Sequence, residues 1–197
     1  MSITAKEIAE LRAKTGLPMM EVKSALIEAH GNEEEAIKIL RKKGLSKVAK
    51  RAERETKSGL IESYVHDGKI GVLVEVLTET DFVAKNDEFK EFVHNLALHV
   101  AAASPKYLSR QDIPVVELDK EKQILLDEVK ASGKPEEIAK KIVEGKLNNF
   151  YAEICLLDQH FIKDQDKTIE EMLTELVSKI GEKIAISRFC RFELGKL

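Results

Sequence analysis

Two β-rich runs around an Asp67-Gly68 dipeptide constrain the fold of this chain more than any other feature. The runs span residues 59–66 and 69–77, and Asp-Gly is favoured in a two-residue hairpin turn because both turn positions need positive φ. Apolar side chains alternate along the second run, at Ile70, Val72, Val74 and Val76. Since side chains alternate between the faces of a strand, the chain is predicted to contain a hairpin with one buried face.

The residues after the hairpin have mainly helical periodicity. Apolar side chains recur three and four positions apart over residues 87–103, which predicts one long helix. Two further helices are predicted at 119–132 and 135–149, separated by Gly133. Thr168, with Glu171 three residues later, is a capping box for a helix that ends at Ile180.

Apolar alternation returns at residues 182–194, which predicts a final strand. The hairpin, the helices and this strand together predict an α+β fold in which helices pack on a small antiparallel sheet. We assign residues 58–197 to this core.

Residues 1–44 are predicted to form a separate module of three short helices. The signals that start and stop these helices are Thr4 with Glu7, Gly16, Pro18, Gly31, Asn32 and Gly44. Three short helices bury little core of their own, so a docking module is the natural interpretation.

Residues 45–57 are predicted to be a basic, partly helical linker. The stretch 41–57 holds eight basic residues and two acidic ones, a net charge of +6. A solvated linker is favoured over a nucleic-acid arm because no aromatic side chains stand between the charges to stack on bases.

Composition excludes several classes of protein. Hydrophobic residues make up 43% of the 197 and charged residues 34%, so the chain is neither disordered nor collagen-like. The net charge of −3 gives no general attraction to nucleic acid. The only cysteines are Cys155 and Cys190, which suits a reducing compartment. Neither a membrane span nor a secretory signal is recognisable, so we expect a cytoplasmic protein.

Motifs for catalysis are missing from the sequence. Every Gly-Lys pair lacks the glycine five residues earlier that a phosphate-binding loop needs, and there is no Gly-x-Ser-x-Gly elbow. The cysteines do not have zinc-site spacing, and His94 and His99 point to different sides of one helix. We therefore expect no metal, no cofactor and no enzymatic activity.

The most informative segment is the short turn at residues 79–87, between the hairpin and the long helix. It places Phe82 among Asp81, Lys85 and Asn86, and Asn86 can cap the following helix. Two interpretations are open. Phe82 and Val83 either anchor the turn in the core, or Phe82 is an exposed aromatic contact for another protein.

The run Thr80-Asp81-Phe82-Val83-Ala84-Lys85-Asn86 resembles the signature of the elongation factor Ts family. Further similar segments are Leu11-Arg12, Thr15-Gly16, Met19-Met20, Lys23 and Ala25-Leu26, then His99 to Ala102, residues 132–139, residues 143–146, and Arg191 to Glu193. The resemblance covers nearly the whole chain in the family's order. The departures are Leu17-Pro18, where small residues are common, and Val22, where cysteine is common.

The resemblance implies a guanine-nucleotide exchange factor for the GTPase elongation factor Tu. It implies that Thr80, Asp81, Phe82 and Val83 disturb the Mg²⁺ site of that GTPase. It also implies further partner contacts through Arg12, Met19, Met20 and His99, with His99 meeting a second domain of the GTPase. The same resemblance implies that residues 1–44 are a ubiquitin-associated-type helical module.

Plainer roles are open for several of these residues. Adjacent helical residues point about 100° apart, so one methionine of Met19 and Met20 can pack in the module while the other is exposed. His99 can be a hydrogen-bonded helix histidine without a partner.

The chain resembles a short member of the family, and short members are implied to form homodimers, so residues 58–197 are expected to be the dimerisation domain as well as the core. Cys190 and Phe192 on the last strand are the possible intersubunit contacts, with an intersubunit disulfide and a buried, reduced thiol as alternatives for Cys190. Two other functions remain in competition with nucleotide exchange. One is an adaptor that binds proteins through residues 1–44, and the other is an RNA-associated factor that uses the basic linker.

Overall fold

The computed structural model describes residues 3–131 and 136–196. Its α-helices are α1 (Ala5–Thr15), α2 (Met19–Glu28), α3 (Glu33–Arg51), α4 (Asp81–Ala84), α5 (Asp87–Ala103), α6 (Val115–Ala131), α7 (Glu136–Ile154) and α8 (Ile169–Ile180). Its strands are β1 (Ser58–His66), β2 (Ile70–Thr78), β3 (His160–Phe161), β4 (Asp164–Thr168) and β5 (Ile184–Glu193). One sheet has the order β1-β2-β5, and β3 and β4 form a second, antiparallel pair. The predicted α+β class with a small antiparallel sheet is confirmed.

The hairpin forms as its sequence predicts. Asp67 and Gly68 have φ values of 49° and 65°, the double positive φ of a tight hairpin turn. Val72, Val74 and Val76 are all buried, so the alternating residues of β2 do line the covered face of the sheet.

The caps predicted for the N-terminal helices are present. The Thr4 hydroxyl accepts from the Glu7 N–H at 3.3 Å, and the Glu7 carboxylate accepts from the Thr4 N–H at 2.7 Å. Gly16 ends α1 with φ 65°, and Asn32 caps α3. The helices enclose a small core of their own, formed by Ile8, Leu11, Leu17, Val22, Ala25, Leu26, Ala29, Ala36 and Leu40.

The predicted end of the third helix at Gly44 is wrong, because α3 continues to Arg51. Gly44 is buried inside the helix, and a Cβ there would lie 3.0 Å from side-chain atoms of both Thr174 and Ser178 on α8. The glycine thus allows two helices to approach closely rather than ending one of them. The division into residues 1–44, 45–57 and 58–197 remains a prediction.

The later elements agree with the sequence except at their ends. Helix α5 has the predicted bounds, whereas α6 begins at Val115, and the Pro114 carbonyl accepts from the N–H groups of Glu117 and Leu118. The break predicted at Gly133 lies outside the described residues, as does half of the family-like segment 132–139. The pair β3–β4 was not predicted, since its strands have two and five residues and no apolar alternation.

The chain divides into two compact units. The first contains residues 1–61, 75–93 and 171–187, and therefore the turn around Phe82. The second contains residues 62–74, 94–170 and 188–197, and therefore His99 and Cys190.

Candidate functional site

The turn around Phe82 forms a four-residue helix, α4, that presents the aromatic ring to solvent. Phe82 is 82% exposed, whereas its neighbour Val83 is 8% exposed. The interpretation that both residues belong to the core is therefore wrong for Phe82 and right for Val83. An exposed phenylalanine beside charged groups has the character of an aromatic anchor for another protein.

Asn86 fixes the end of this turn, as its sequence position predicts. Its Oδ1 accepts from the N–H groups of Glu88 at 2.8 Å and Phe89 at 3.2 Å, which caps the start of α5. Phe89 is fully buried, so the capped end of α5 rests on the core.

The start of the turn is held by Glu182, a residue about 100 positions away in the chain. Its carboxylate accepts from the Thr80 N–H at 3.1 Å and from the Thr80 hydroxyl at 2.9 Å. Sequence reasoning missed Glu182, because no local pattern links a carboxylate after α8 to a threonine after β2.

Asp81 is the charged residue next to the exposed ring. Its carboxylate lies 2.8 Å from the Lys85 ammonium, one helical turn away. The hydrogen bond from Lys85 holds the pKa of Asp81 below its usual value, so the carboxylate is ionised at neutral pH. Both side chains are mostly exposed, so water screens the pair and leaves Asp81 free to exchange partners.

An open cleft of about 670 Å³ lies beside the turn. Its walls come from β1, β2, α4 and the start of α5, and its charged lining residues are Lys57, Glu75, Asp81, Lys85 and Lys90. The turn therefore borders a concave surface with charges of both signs, which suits contact with a polar protein surface.

The second set of predicted contacts lies on the N-terminal helices. Arg12 is exposed on α1, and Met19 and Met20 at the start of α2 are 53% and 71% exposed. Neither methionine belongs to the buried core of the module. Two exposed, flexible thioether side chains form an adaptable surface for a protein contact.

His99 is not on a surface in this structure. The side chain is fully buried, and its Nε2 lies 3.0 Å from Oε1 of Gln159. Burial lowers the pKa of His99 below its usual value, so the ring is neutral. The interpretation as a hydrogen-bonded helix histidine describes this geometry, and the ring is not available for direct contact with a partner.

Cys190 and Phe192 are both exposed on β5, and Phe192 is 71% exposed. The alternative of a buried thiol at Cys190 is therefore wrong. It applies instead to Cys155, which is fully buried and whose pKa burial raises to about 11. Cys190 and Phe192 point to the same side of the strand, because alternate residues share a face.

Within the described ranges, no group of three or more potential metal-ligating side chains is close enough to hold an ion. In the same part of the chain, no helix combines the length and apolar character needed to cross a bilayer.

Comparison with known proteins matches the chain to one family over nearly its whole length. The family model described as Elongation factor TS matches residues 2–196. The chain is 54% identical over 196 residues to Elongation factor Ts of Alkaliphilus oremlandii, an alignment that covers 100% of this chain and 91% of that protein. It is 52% identical over 197 residues to Elongation factor Ts of Fervidobacterium nodosum, with 100% of both chains covered. It is 51% identical over 197 residues to Elongation factor Ts of Geobacter sulfurreducens, with 100% of this chain and 91% of that protein covered.

Proposed function

Because this chain belongs to the elongation factor Ts family, we propose that it is a guanine-nucleotide exchange factor for elongation factor Tu. In this role it binds the GTPase in the cytoplasm and promotes GDP release during translation elongation, without catalytic chemistry of its own. The observation that supports the proposal best is the exposed Phe82 beside an ionised Asp81, on a turn anchored at both ends.

The mechanism follows from how a GTPase holds its nucleotide. Backbone N–H groups, a lysine and Mg²⁺ neutralise the phosphate charge, and the metal is the largest single contribution to that balance. A protein that binds better to a GTPase with a disturbed metal site must, by reciprocity, weaken the binding of nucleotide. The exchange factor therefore need not touch the guanine base.

The residues of the turn have different roles in this mechanism. Phe82 supplies apolar area that becomes buried between helices of the GTPase, and Asp81 perturbs the polar network around the metal. Val83 and Thr80 hold the turn, the first through its burial and the second through its hydrogen bonds. Lys85 pairs with the Asp81 carboxylate until the partner's groups replace it.

A second contact with the GTPase is proposed for Arg12, Met19 and Met20. All three are exposed, and they lie on helices whose buried faces form a separate small core. This surface supplies affinity, while the turn around Phe82 supplies the effect on the nucleotide. His99 makes no direct contact with the GTPase in this proposal, because its ring is buried.

We propose that the chain forms a homodimer through the exposed C-terminal end of β5, which carries Cys190 and Phe192. In the second unit, the exposed apolar side chains include Phe192 on β5, Leu194 just after it, Val65 on β1 and Leu73 on β2. Exposed apolar side chains of this size are commonly covered by another protein, and a two-fold axis at the end of β5 would bring Cys190 near its mate.

The test of exchange is release of a fluorescent GDP from elongation factor Tu with and without this protein. Strong acceleration by the wild type, lost in Phe82→Ala, supports the proposal. No acceleration by a protein that still binds the GTPase contradicts it and favours the adaptor function.

That adaptor function, in which residues 1–44 bind other proteins, has its own observation in the exposure of Met19 and Met20. It predicts a protein ligand whose binding depends on the two methionines and not on Phe82. Titration of such a ligand with the Met20→Ala and Phe82→Ala variants distinguishes the two functions.

A further inference from the structure

Glu182 reaches the turn around Phe82 because of the way α8 ends. Gly181 follows the helix with φ 88°, and its N–H donates to the Val177 carbonyl at 2.9 Å. A glycine in the left-handed conformation is a common helix end and allows the chain to change direction at once. Glu182 is the next residue, and β5 begins two residues later at Ile184.

The Glu182 carboxylate accepts hydrogen bonds from both threonines around the end of β2. Besides the two Thr80 donors, the Thr78 hydroxyl donates to it at 3.3 Å, and Thr78 is fully buried. Thr80 stands at the N-cap of α4, yet its hydroxyl makes no capping hydrogen bond. The hydroxyl that would ordinarily cap a helix is committed to Glu182 instead.

A second carboxylate makes the reverse connection. Glu79 accepts from the Lys183 N–H at 2.5 Å and from the Arg54 guanidinium at 3.2 Å. The hydrogen bond from the Lys183 backbone is the main reason that the pKa of Glu79 lies below its usual value. The segments 78–80 and 182–183 are thus joined by two reciprocal hydrogen bonds from a backbone N–H to a carboxylate.

The Lys183 side chain extends this junction to the end of α3. Its Nζ donates to the carbonyls of Ala52 at 2.6 Å and Arg54 at 2.8 Å. A lysine at the carboxyl end of a helix both satisfies free carbonyls and complements the helix dipole. The backbone beside Glu182 is therefore held by a helix end as well as by Glu79, which leaves the Glu182 carboxylate little freedom to leave Thr80.

We propose that Glu182 is a positioning residue that sets the direction in which Phe82 is presented. An isolated helix of four residues is not stable in water, so α4 depends on its anchors. Thr80 is two residues before Phe82, and it is held from outside the turn by Glu182. When Glu182 is removed, the fraction of molecules that present the ring correctly falls, and the apparent activity falls with it. The consequence for exchange rests on the proposed function, whereas the order of the turn does not.

The order of the turn can be measured without any partner. The chain contains no tryptophan, so Phe82→Trp introduces a single fluorophore at an exposed position. In this background, Glu182→Ala is expected to increase the amplitude of nanosecond motion in the time-resolved anisotropy about twofold. The amplitude for Glu182→Gln, which keeps one acceptor oxygen, is expected to lie between the amplitudes measured with Glu182 and with Glu182→Ala. Identical anisotropy decays with and without Glu182→Ala would overturn the proposal.

Asp112 offers a matched control. Its carboxylate accepts from the N–H and the hydroxyl of one residue, Ser109, at 2.8 and 2.6 Å, the same pair of donors that Thr80 gives to Glu182. Asp112→Ala therefore removes the same pair of hydrogen bonds that Thr80 gives to Glu182, but in a different unit of the chain. Asp112→Ala is expected to leave the anisotropy decay unchanged. An equal effect of Asp112→Ala and Glu182→Ala would mean that the motion at residue 82 reports a general loss of stability, and it would contradict a specific role of Glu182.

Exchange kinetics test the same proposal on the native Phe82 background. Glu182→Ala is expected to lower the maximal rate of GDP release about tenfold, because a misplaced group is still bound but acts poorly. The half-saturating concentration should change less than about twofold, since the surface around Met20 is intact. A change confined to the half-saturating concentration would contradict positioning.

A double-mutant cycle shows whether Glu182 acts through Thr80. Thr80→Val keeps the backbone N–H and the side-chain shape but removes the hydroxyl. The double variant should be little slower than Glu182→Ala alone, because residues in one network are not additive. Additive losses of exchange rate in the double variant would overturn the proposal that Glu182 acts through Thr80. If the wild type does not accelerate release at all, the exchange function fails, and the anisotropy result still decides the role of Glu182.

Discussion

Phe82 and Val83 are adjacent residues of one short helix, yet they face opposite environments: the phenylalanine ring is in solvent and the valine is in the core. Neighbouring helical positions differ by about 100°, so a single turn can anchor itself with one residue and present the next. The contribution of this turn to stability and its contribution to partner binding can therefore be changed separately.

Phe82→Ala is expected to slow the release of GDP from elongation factor Tu by one to two orders of magnitude, as loss of an anchor of about 2 kcal/mol would. The fold should be unaffected because the ring contributes little buried area. Release of fluorescent GDP measures the first effect and circular dichroism the second. An undiminished rate with an intact fold would remove Phe82 from the exchange mechanism.

Val83→Ala is expected to lower the free energy of unfolding by about 1–3 kcal/mol, because it removes two buried methyl groups and leaves a small cavity. Urea denaturation measures this loss. Phe82→Ala is the matched control, and its unfolding free energy should stay within about 0.5 kcal/mol of the wild type. Equal destabilisation by both substitutions would show that the two residues do not differ in this way.

Met20→Ala is expected to raise the half-saturating concentration for exchange several-fold, about tenfold if the side chain contributes 1.4 kcal/mol to binding. The maximal rate should stay the same, because this surface supplies affinity only. Lys38→Ala, which also changes an exposed side chain of the module, serves as the control. A fall in the maximal rate for Met20→Ala would show that this surface also affects nucleotide release, so that affinity and exchange are not divided between the two surfaces.

Phe192→Asp is expected to convert a homodimer into a monomer, since it replaces an exposed apolar side chain at the end of β5 with a charged one. Sedimentation velocity measures the change. If Cys190 links the two copies, a non-reducing gel will show a dimer band that Cys190→Ser abolishes. A wild-type protein that sediments as a monomer at micromolar concentration would contradict the dimer.

The stability of the chain should fall as the pH drops below about 6.5, and His99 should account for part of the fall. Burial lowers the folded-state pKa of His99, so the unfolded chain binds a proton at a pH where the folded chain does not. The stabilisation is complete above the unfolded pKa and is lost as pH falls toward the folded pKa. Urea denaturation at pH 7.5 and 5.5 should show a smaller loss for His99→Gln than for the wild type; equal losses would exclude a contribution from His99.

Local signals predicted the elements that depend on a few neighbouring residues. The turn at Asp67-Gly68, the cap at Asn32 and the α5 cap at Asn86 each form where the sequence places them. Their hydrogen bonds join residues at most three positions apart, so the pattern of the chain contains both partners.

Gly44 shows where such signals fail. A glycine followed by a polar stretch has the pattern of a helix end, and Gly16 is one. Gly44 instead remains helical because α8 lies against it, with Thr174 and Ser178 in the space that a side chain would fill. The two roles differ only in what packs against the glycine, which no local pattern records.

The sequence by itself determined the fold class, the capped helices, the hairpin and the position of the turn around Phe82, because periodicity and caps are local properties. Only the tertiary structure decided that Phe82 is exposed while His99 is buried, that Cys190 faces solvent, and that Glu182 holds Thr80. Each of these depends on residues distant in the chain that folding brings together. Exposure and long-range hydrogen bonds are properties of the packed chain and not of any segment within it.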